Sequence, residues 1–350
     1  MSFKRAFHAV ETHSGEPMRV ITGGVPHIPG DSVFEQMEWL KRNDDQVRML
    51  MLREPRGYPP VCCNLIVPAK NPSAAAGYII MEQTEYPLMS GGNTISVATV
   101  LLETGMIPMR EPVTEFQLEA PAGLIGIKAE CHGGKVTQVT FRNVPAFASY
   151  LDAVIDVPEL ASVTVDVGRG GMFYVIADVR QFNGLKLAPD RGRDITRISA
   201  LILRAAQDQL PVEHPHYPGV GITIAQLSGP TENPNADWKN AVTVASGCID
   251  FGNPATWTGA LDRCPCGTGT CAKMATLHAK GQLRLGEPFR HEGLLGTVYT
   301  GHLVEEVSIG EKRAVVPTIG GQSWICGYST HVLDPTDPFA NGFTMGDIWA

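Results

Sequence analysis

Residues 262–281 read DRCPCGTGTCAKMATLHAKG, and residues 86–105 read YPLMSGGNTISVATVLLETG. At an offset of 176 the two stretches align Cys266 with Ser90, and Gly267, Thr270, Leu277 and Gly281 fall on Gly91, Thr94, Leu101 and Gly105. Four identities in sixteen positions would say little alone. The shared layout says more. In each copy a small-residue turn opens a segment that is apolar nearly all round, and a glycine stops it, which is the pattern of a buried helix with a Gly C-terminus. The echo predicts two related lobes, each with a central helix whose N-terminus opens into a cleft.

The flanking sequence supplies strands. Residues 18–22 (MRVIT), 61–67 (VCCNLIV) and 77–82 (GYIIME) are apolar, partly β-branched runs bounded by Pro and Gly, while roughly 33–53 carries apolar residues at the spacing of one long helix. Residues 113–146, 162–180 and 219–227 read as strands with Gly turns, and 191–209 reads as a helix. The pattern is mixed α and β in both halves. A chain of 350 residues exceeds one ordinary core. We expect a first lobe over 1–125 plus about 335–350, holding the Ser90 helix, and a second over 126–334, holding the Cys266 helix.

Composition narrows the function classes. The chain is 43% apolar and 18% charged with a net charge of -8, so it can bury large cores, and it has no Lys/Arg run that could follow a phosphate backbone. Nucleic acid is excluded as an expected partner. The opening MSFKRAFHAVETHSGEP is too charged for a signal-peptide core, and no apolar run of membrane-spanning length follows. A cytoplasmic protein without a membrane partner is expected, with a homodimer as the plain expectation for a soluble enzyme. Eight cysteines in so long a chain are too sparse for a disulfide scaffold. Cys264, Cys266 and Cys271 lack the second pair that a structural zinc site requires, so no metal is expected.

The two turns carry the chemistry. A helix N-terminus leaves backbone N–H groups unpaired and carries partial positive charge, so it binds small anions without a cationic side chain. The donors here are the amides around Gly91, Gly92 and Asn93 and around Gly267, Thr268 and Gly269. Lys273 is misplaced for a phosphate loop, so a carboxylate fits better. Cys266 is the candidate base, since a thiol has a reference pKa of about 8.5 that a helix N-terminus lowers. Ser90 is a far weaker acid. Racemisation wants two similar groups on opposite faces, whereas β-elimination needs one base for the α-proton and one donor for a departing hydroxide, so thiol plus hydroxyl suits elimination. Two readings stay open for Ser90, an acid or a helix N-cap, and two for Asp262, a loop carboxylate paired with Arg263 or a counter-ion for a substrate ammonium. A cysteine hydrolase ranks last, because Cys266 has no evident histidine partner.

The segment Asp262-Arg263-Cys264-Pro265-Cys266-Gly267-Thr268-Gly269-Thr270 resembles the second catalytic motif of the proline racemase family, Asp-Arg-Ser-Pro-Cys-Gly-Thr-Gly-Thr, at eight of nine positions. His13-Ser14-Gly15-Glu16-Pro17, Gly170-Gly171-Met172-Phe173-Tyr174 and Asp337-Pro338-Phe339 extend the likeness over almost the whole chain. The resemblance implies an α/β (α+β) fold of the diaminopimelate epimerase-like type: two pseudo-symmetric lobes, each a curved β-sheet around a central helix. It implies no cofactor. It implies that a small imino acid is held by its carboxylate on Gly91, Gly92, Gly267 and Thr268 and by its ring nitrogen on Asp262, with Trp257 and Cys62 as candidates for lining the ring. The first motif departs from the family, with Met89-Ser90-Gly91-Gly92-Asn93-Thr94 where Met-Cys-Gly-His-x-Thr is expected. Loss of that cysteine and histidine points to a trans-3-hydroxy-L-proline dehydratase. A 4-hydroxyproline 2-epimerase or proline racemase-type isomerase is the runner-up, and an inactive imino-acid binding protein is the alternative of another class.

Overall fold

The computed structural model describes residues 5–83, 85–245 and 247–346. These form two compact units, one made from the chain up to Phe141 together with the chain from Gly321 onward, the other from Arg142–Gly320. In order along the chain, the first unit opens with strands β1 (Arg5–His13) and β2 (Pro17–Gly23), helices α1 (Val33–Asn43) and α2 (Gln46–Leu52), and strands β3 (Cys62–Val67) and β4 (Ala76–Met81). Helix α3 (Gly91–Glu103) follows, then β5 (Val113–Ala120), β6 (Gly123–His132) and β7 (Lys135–Arg142). The second unit holds β8 (Phe147–Val157), β9 (Ala161–Arg169), β10 (Phe173–Asp178), helix α4 (Gly192–Gln209), β11 (Ile222–Gly229), β12 (Trp238–Ala245) and the short β13 (Gly259–Leu261). Helix α5 (Gly267–Ala279) and strands β14 (Pro288–Glu292), β15 (Val298–Ile309) and β16 (Lys312–Gly321) complete it, and β17 (Trp324–Leu333) returns to the first unit.

The strand pairings repeat. In the first unit β17 pairs antiparallel with β1, β1 antiparallel with β2, β2 parallel with β3, β3 antiparallel with β4, β4 parallel with β5 and β5 antiparallel with β6. In the second unit β8, β9, β10, β11, β12, β14 and β15 follow one another in the same sequence of antiparallel and parallel contacts. Each parallel contact needs a crossover, and a helix supplies it. The α1–α2 pair and α4 carry the first crossover of each unit, and α3 and α5 carry the second. Helices α3 and α5 begin and end 176 residues apart, at Gly91 and Gly267 and at Glu103 and Ala279. The offset of the sequence echo therefore holds along the full helix.

Both central helices are buried on every side. No residue from Gly91 to Leu102, nor from Gly267 to Leu277, reaches more than slight exposure. Helix α4 instead is amphipathic and lays Ile195, Leu201, Ile202, Ala205 and Ala206 on the core of the second unit with Val165, Val167, Val175 and Leu227. Among the described residues no helix is long and apolar enough to cross a membrane.

Two expectations from sequence need correction. The single helix over 33–53 is two helices, because Asp44 leaves helical geometry at φ -144°, ψ 44°. Short polar side chains flank the break: Asn43 Nδ2 donates to the Trp39 carbonyl at 2.8 Å, a local bond that competes with the helical ladder, and Asp45, at the N-cap position of α2, pairs with Arg48 at 2.7 Å. The unit boundaries fall after Phe141 and after Gly320 rather than after residues 125 and 334. Strand β6 is the hairpin mate of β5 along its whole length, and β17 pairs with β1 from Arg5↔Leu333 to His13↔Trp324.

Tight turns link the paired strands. Ser14 N–H donates to the Glu16 carbonyl at 3.2 Å between β1 and β2, and Gly170 N–H donates to the Met172 carbonyl at 3.1 Å between β9 and β10. At Gly170 the backbone meets the first turn of α5 so closely that a Cβ would lie 2.1 Å from the Thr268 carbonyl oxygen and 2.5 Å from the Ala272 nitrogen. Glycine is required there by contact with another backbone. Gly170→Ala is expected to destabilise the protein by roughly 1–3 kcal/mol or more, the usual range for overpacking; denaturant unfolding of the variant against wild type measures it, and an unchanged midpoint would show that α5 can withdraw.

Candidate active site

Ser90 and Cys266 occupy the N-cap positions of α3 and α5. The residues after them, Gly91, Gly92 and Asn93 in one unit and Gly267, Thr268 and Gly269 in the other, are the first three of each helix, whose N–H groups lie outside the helical ladder. The ladder starts in both at the fourth residue, with Thr94 N–H on the Ser90 carbonyl at 3.0 Å and Thr270 N–H on the Cys266 carbonyl at 2.9 Å. The threonine shared by the two motifs has a visible task. Thr94 Oγ1 donates to the Ser90 carbonyl at 2.7 Å and Thr270 Oγ1 to the Cys266 carbonyl at 2.8 Å, tying each turn to its own helix.

In the first unit, Ser90 makes no side-chain capping bond to the helix backbone. Its Oγ accepts from Asn93 Nδ2 at 2.9 Å, and Asn93 Oδ1 accepts in turn from Asn64 Nδ2 of β3 at 2.7 Å. Asn64 and Asn93 are buried whereas Ser90 is partly exposed, so the chain of amides holds the hydroxyl from the protein side. The capping reading of Ser90 thus gives way to a side-chain relay. Cys62 lies two residues before Asn64 on β3, hence on the same face of that strand, and is partly exposed.

In the second unit, Cys266 has φ 59° and ψ 103°, a left-handed backbone that a non-glycine residue adopts only at a cost. Its sulfur is buried with Met172, Tyr174, Ile176, Ile224, Val242 and Ala272. Tyr174 of β10 sets its hydroxyl 3.4 Å from Cys266 Sγ and 2.6 Å from Thr268 Oγ1. The turn is anchored by Asn240 Nδ2, which donates to the Pro265 carbonyl at 2.9 Å, and by His291, whose Nδ1 lies 2.9 Å from Thr270 Oγ1. Burial holds the His291 imidazole down to about 3, hence neutral, and its described partners are Thr270 and Asn240.

The thiol is not depressed as the helix N-terminus alone suggests. Burial, then the Asp262 carboxyl, then Cys264 push it well above the ordinary thiol range, and the Tyr174 hydrogen bond works the other way. Burial likewise raises Asp262, whose carboxyl shares a hydrogen bond with the Cys266 thiol while the Arg263 cation draws it back down. Asp262 therefore sits where it can hold both the thiol and a cation. Trp257 is placed elsewhere: its ring packs in the core against α4, with Arg197 5.2 Å from the ring centre and its Nε1 donating to the Asp250 carbonyl at 2.8 Å.

Tyr174, Asn64, Asn240 and His291 take part in these arrangements and were not singled out from sequence: Tyr174 stood inside a recognised motif without a role, and isolated polar residues in strands carry no local signal.

The sign of the Asp262 effect yields a prediction. A negative carboxylate beside the sulfur opposes thiolate formation, so Asp262→Asn is expected to lower the pH at which Cys266 ionises and to speed its alkylation at neutral pH severalfold. Iodoacetamide labelling of Cys266 across pH 6–10 tests this, and a slower reaction in the variant would reverse the assigned sign.

The proline racemase family profile matches residues 9–344. Among solved structures, a hydroxyproline epimerase from Agrobacterium vitis with bound trans-4-OH-L-proline is 35% identical, with a TM-score of 0.90 over 100% of this chain and 98% of that one. A probable proline racemase from Agrobacterium radiobacter with bound carbonate is also 35% identical, with a TM-score of 0.89 over 98% of each chain. A methylitaconate-delta-isomerase, 13% identical at a TM-score of 0.53 over 95% of this chain and 96% of that one, shares the fold alone.

Proposed function

The chain belongs to the proline racemase family, and from that premise we propose that it is a trans-3-hydroxy-L-proline dehydratase. One observation carries the choice within the family: the two helix N-caps bear groups of unequal acidity, a hydroxyl at Ser90 and a thiol at Cys266. On this reading both turns serve one imino acid. Its carboxylate is held by the amides of Gly91, Gly92, Gly267 and Thr268, and its ring nitrogen by Asp262. A cationic nitrogen paired with Asp262 cancels the carboxylate charge that opposes a thiolate, so substrate binding itself readies the base.

The Cys266 thiolate takes the α-proton, and the electrons of that C–H bond are first spread into the carboxylate, then form the C2–C3 double bond as the C3–O bond breaks. Ser90, directly or through a water, donates a proton to the departing hydroxide, and the water formed leaves; Cys266 releases its proton to solvent and Ser90 regains one, restoring both groups. The enamine then tautomerises to Δ1-pyrroline-2-carboxylate. Backbone amides stabilise the carboxylate as it gains enolate character. The Asn64–Asn93 relay supports the acid role of Ser90, because Asn93 donates to the serine oxygen and leaves its proton free to point away. An amide that donates to Oγ gives no help in removing a proton from it.

A second reading has support of its own. A relative at 35% identity is a hydroxyproline epimerase with trans-4-OH-L-proline bound. In 4-hydroxyproline 2-epimerisation Ser90 would have to exchange a proton at the α-carbon, a demand that its acidity fits poorly.

Purified protein given trans-3-hydroxy-L-proline is expected to form the ketimine while epimerising trans-4-hydroxy-L-proline slowly; rapid epimerisation without ketimine would make it an isomerase, and tight binding without any turnover would make it a binding protein. Cys266→Ala is expected to lose turnover by about 10²–10⁴-fold. Ser90→Ala should still exchange the α-proton with deuterated solvent while ketimine formation falls. Loss of that exchange would place Ser90 in the proton-abstraction step.

A further inference from the structure

Gln226 of β11 is wholly buried, and among the described residues neither its Nε2 nor its Oε1 has a hydrogen-bond partner. Buried amides are nearly always paired, so an unpaired one asks for an explanation. Its Oε1 lies 2.7 Å from the point where a Cβ on Gly269 would stand, and Cys266 Sγ lies 3.1 Å from that same point. The amide and the sulfur thus border one small space at the first turn of α5. Glycine at 269 is what leaves that space open.

The first unit shows what such an amide does. In the parallel pairs Val20 stands beside Asn64 and Ile176 beside Gln226, and in the antiparallel pairs Asn64 faces Ile80 and Gln226 faces Val242. Asn64 and Gln226 are therefore counterparts, and Asn93 and Gly269 are counterparts at the offset of 176. In the first unit Asn64 reaches Ser90 through Asn93. In the second the intermediary is a glycine, and the strand amide is longer by one methylene. The same position on the same strand reaches the reactive side chain by relay in one unit and borders the space beside it in the other.

We propose that Gln226 is a positioning residue for Cys266: its amide, which sets Oε1 toward the shared space, turns over to donate Nε2–H to the sulfur once the thiol has given up its proton. The inference rests on the reading of Cys266 as the base. The titratable groups facing that sulfur are Tyr174 from β10 and Asp262 and Cys264 from the segment before α5, and the charge of Arg263 acts on Asp262. Asp262 and Cys264 oppose a negative sulfur and Tyr174 supports it. Gln226 adds a donor that does not titrate, and it aims the sulfur lone pairs as well as stabilising them.

The test follows iodoacetamide labelling of Cys266 against pH in the full-length protein, read by mass spectrometry of the peptide that contains it, beside the pH profile of kcat/KM. Gln226→Leu is expected to raise the labelling midpoint by about one pH unit, roughly a tenfold smaller thiolate fraction at neutral pH, and to lower kcat more than it changes KM. Gln226→Glu, of the same size, is expected to raise the midpoint further and keeps the test intact should the leucine variant fold poorly. An unchanged midpoint in the glutamate variant, with Cys266→Ala inactive, overturns the inference alone. Turnover retained by Cys266→Ala overturns the proposed function and this inference with it.

Discussion

A helix that is apolar on every side has only one stable setting, which is complete enclosure, and the fold of each unit follows from that constraint on α3 and α5. Neither helix offers a polar stripe to solvent, so strands must run past it on all sides, and parallel pairs flanking the crossover bring them there. Backbone N–H groups at the N-terminus need partners, and a carboxylate ligand can satisfy them where side chains do not. The reactive residue falls at that end, where backbone N–H groups outside the helical ladder can meet an anion.

Enclosure also explains why strand side chains take so large a part in the surroundings of Ser90 and Cys266. Asn64, Tyr174 and Gln226 each project from a strand that packs against a central helix. A strand buried on both faces is rigid, so these groups hold the turns without paying much ordering entropy on binding. The two units use the same positions for different chemistry. An amide relay donating to a serine oxygen leaves a hydroxyl suited to giving a proton, whereas burial and a neighbouring carboxyl hold the Cys266 sulfur as a thiol while the Tyr174 phenol pulls the other way.

Much of this could be read from sequence, and the reasons it could are local. The Gly-rich turn, the apolar run and the stopping glycine mark α3 and α5 at both ends, and the offset of 176 identifies them as copies. Cys266, Ser90 and Asp262 announce themselves by residue type and motif. What stayed hidden depends on pairing across the chain. Strand order, the placement of Trp257 against Arg197, and the Tyr174 neighbour of the sulfur are decided by residues tens to hundreds of positions away. The raised thiol is the clearest case: the helix N-terminus is visible in sequence, but the burial that outweighs it is not. At Asp44 the failure was different, since helical periodicity continued through a break that only the competing Asn and Asp side chains signal.

The return of β17 to β1 has a consequence for how the molecule is made. The second unit is one continuous stretch, Arg142–Gly320, while the first joins the two ends of the chain. A ribosome delivers residues in order, so the Ser90 unit, although begun first, lacks an edge strand until residues 324–333 have been made. The exposed flank of β1 must wait through the synthesis of the entire Cys266 unit. The half that is started last is the half that can be finished first, and through that interval the nascent chain carries an unpaired β-edge, the kind of surface that invites chaperone capture or aggregation.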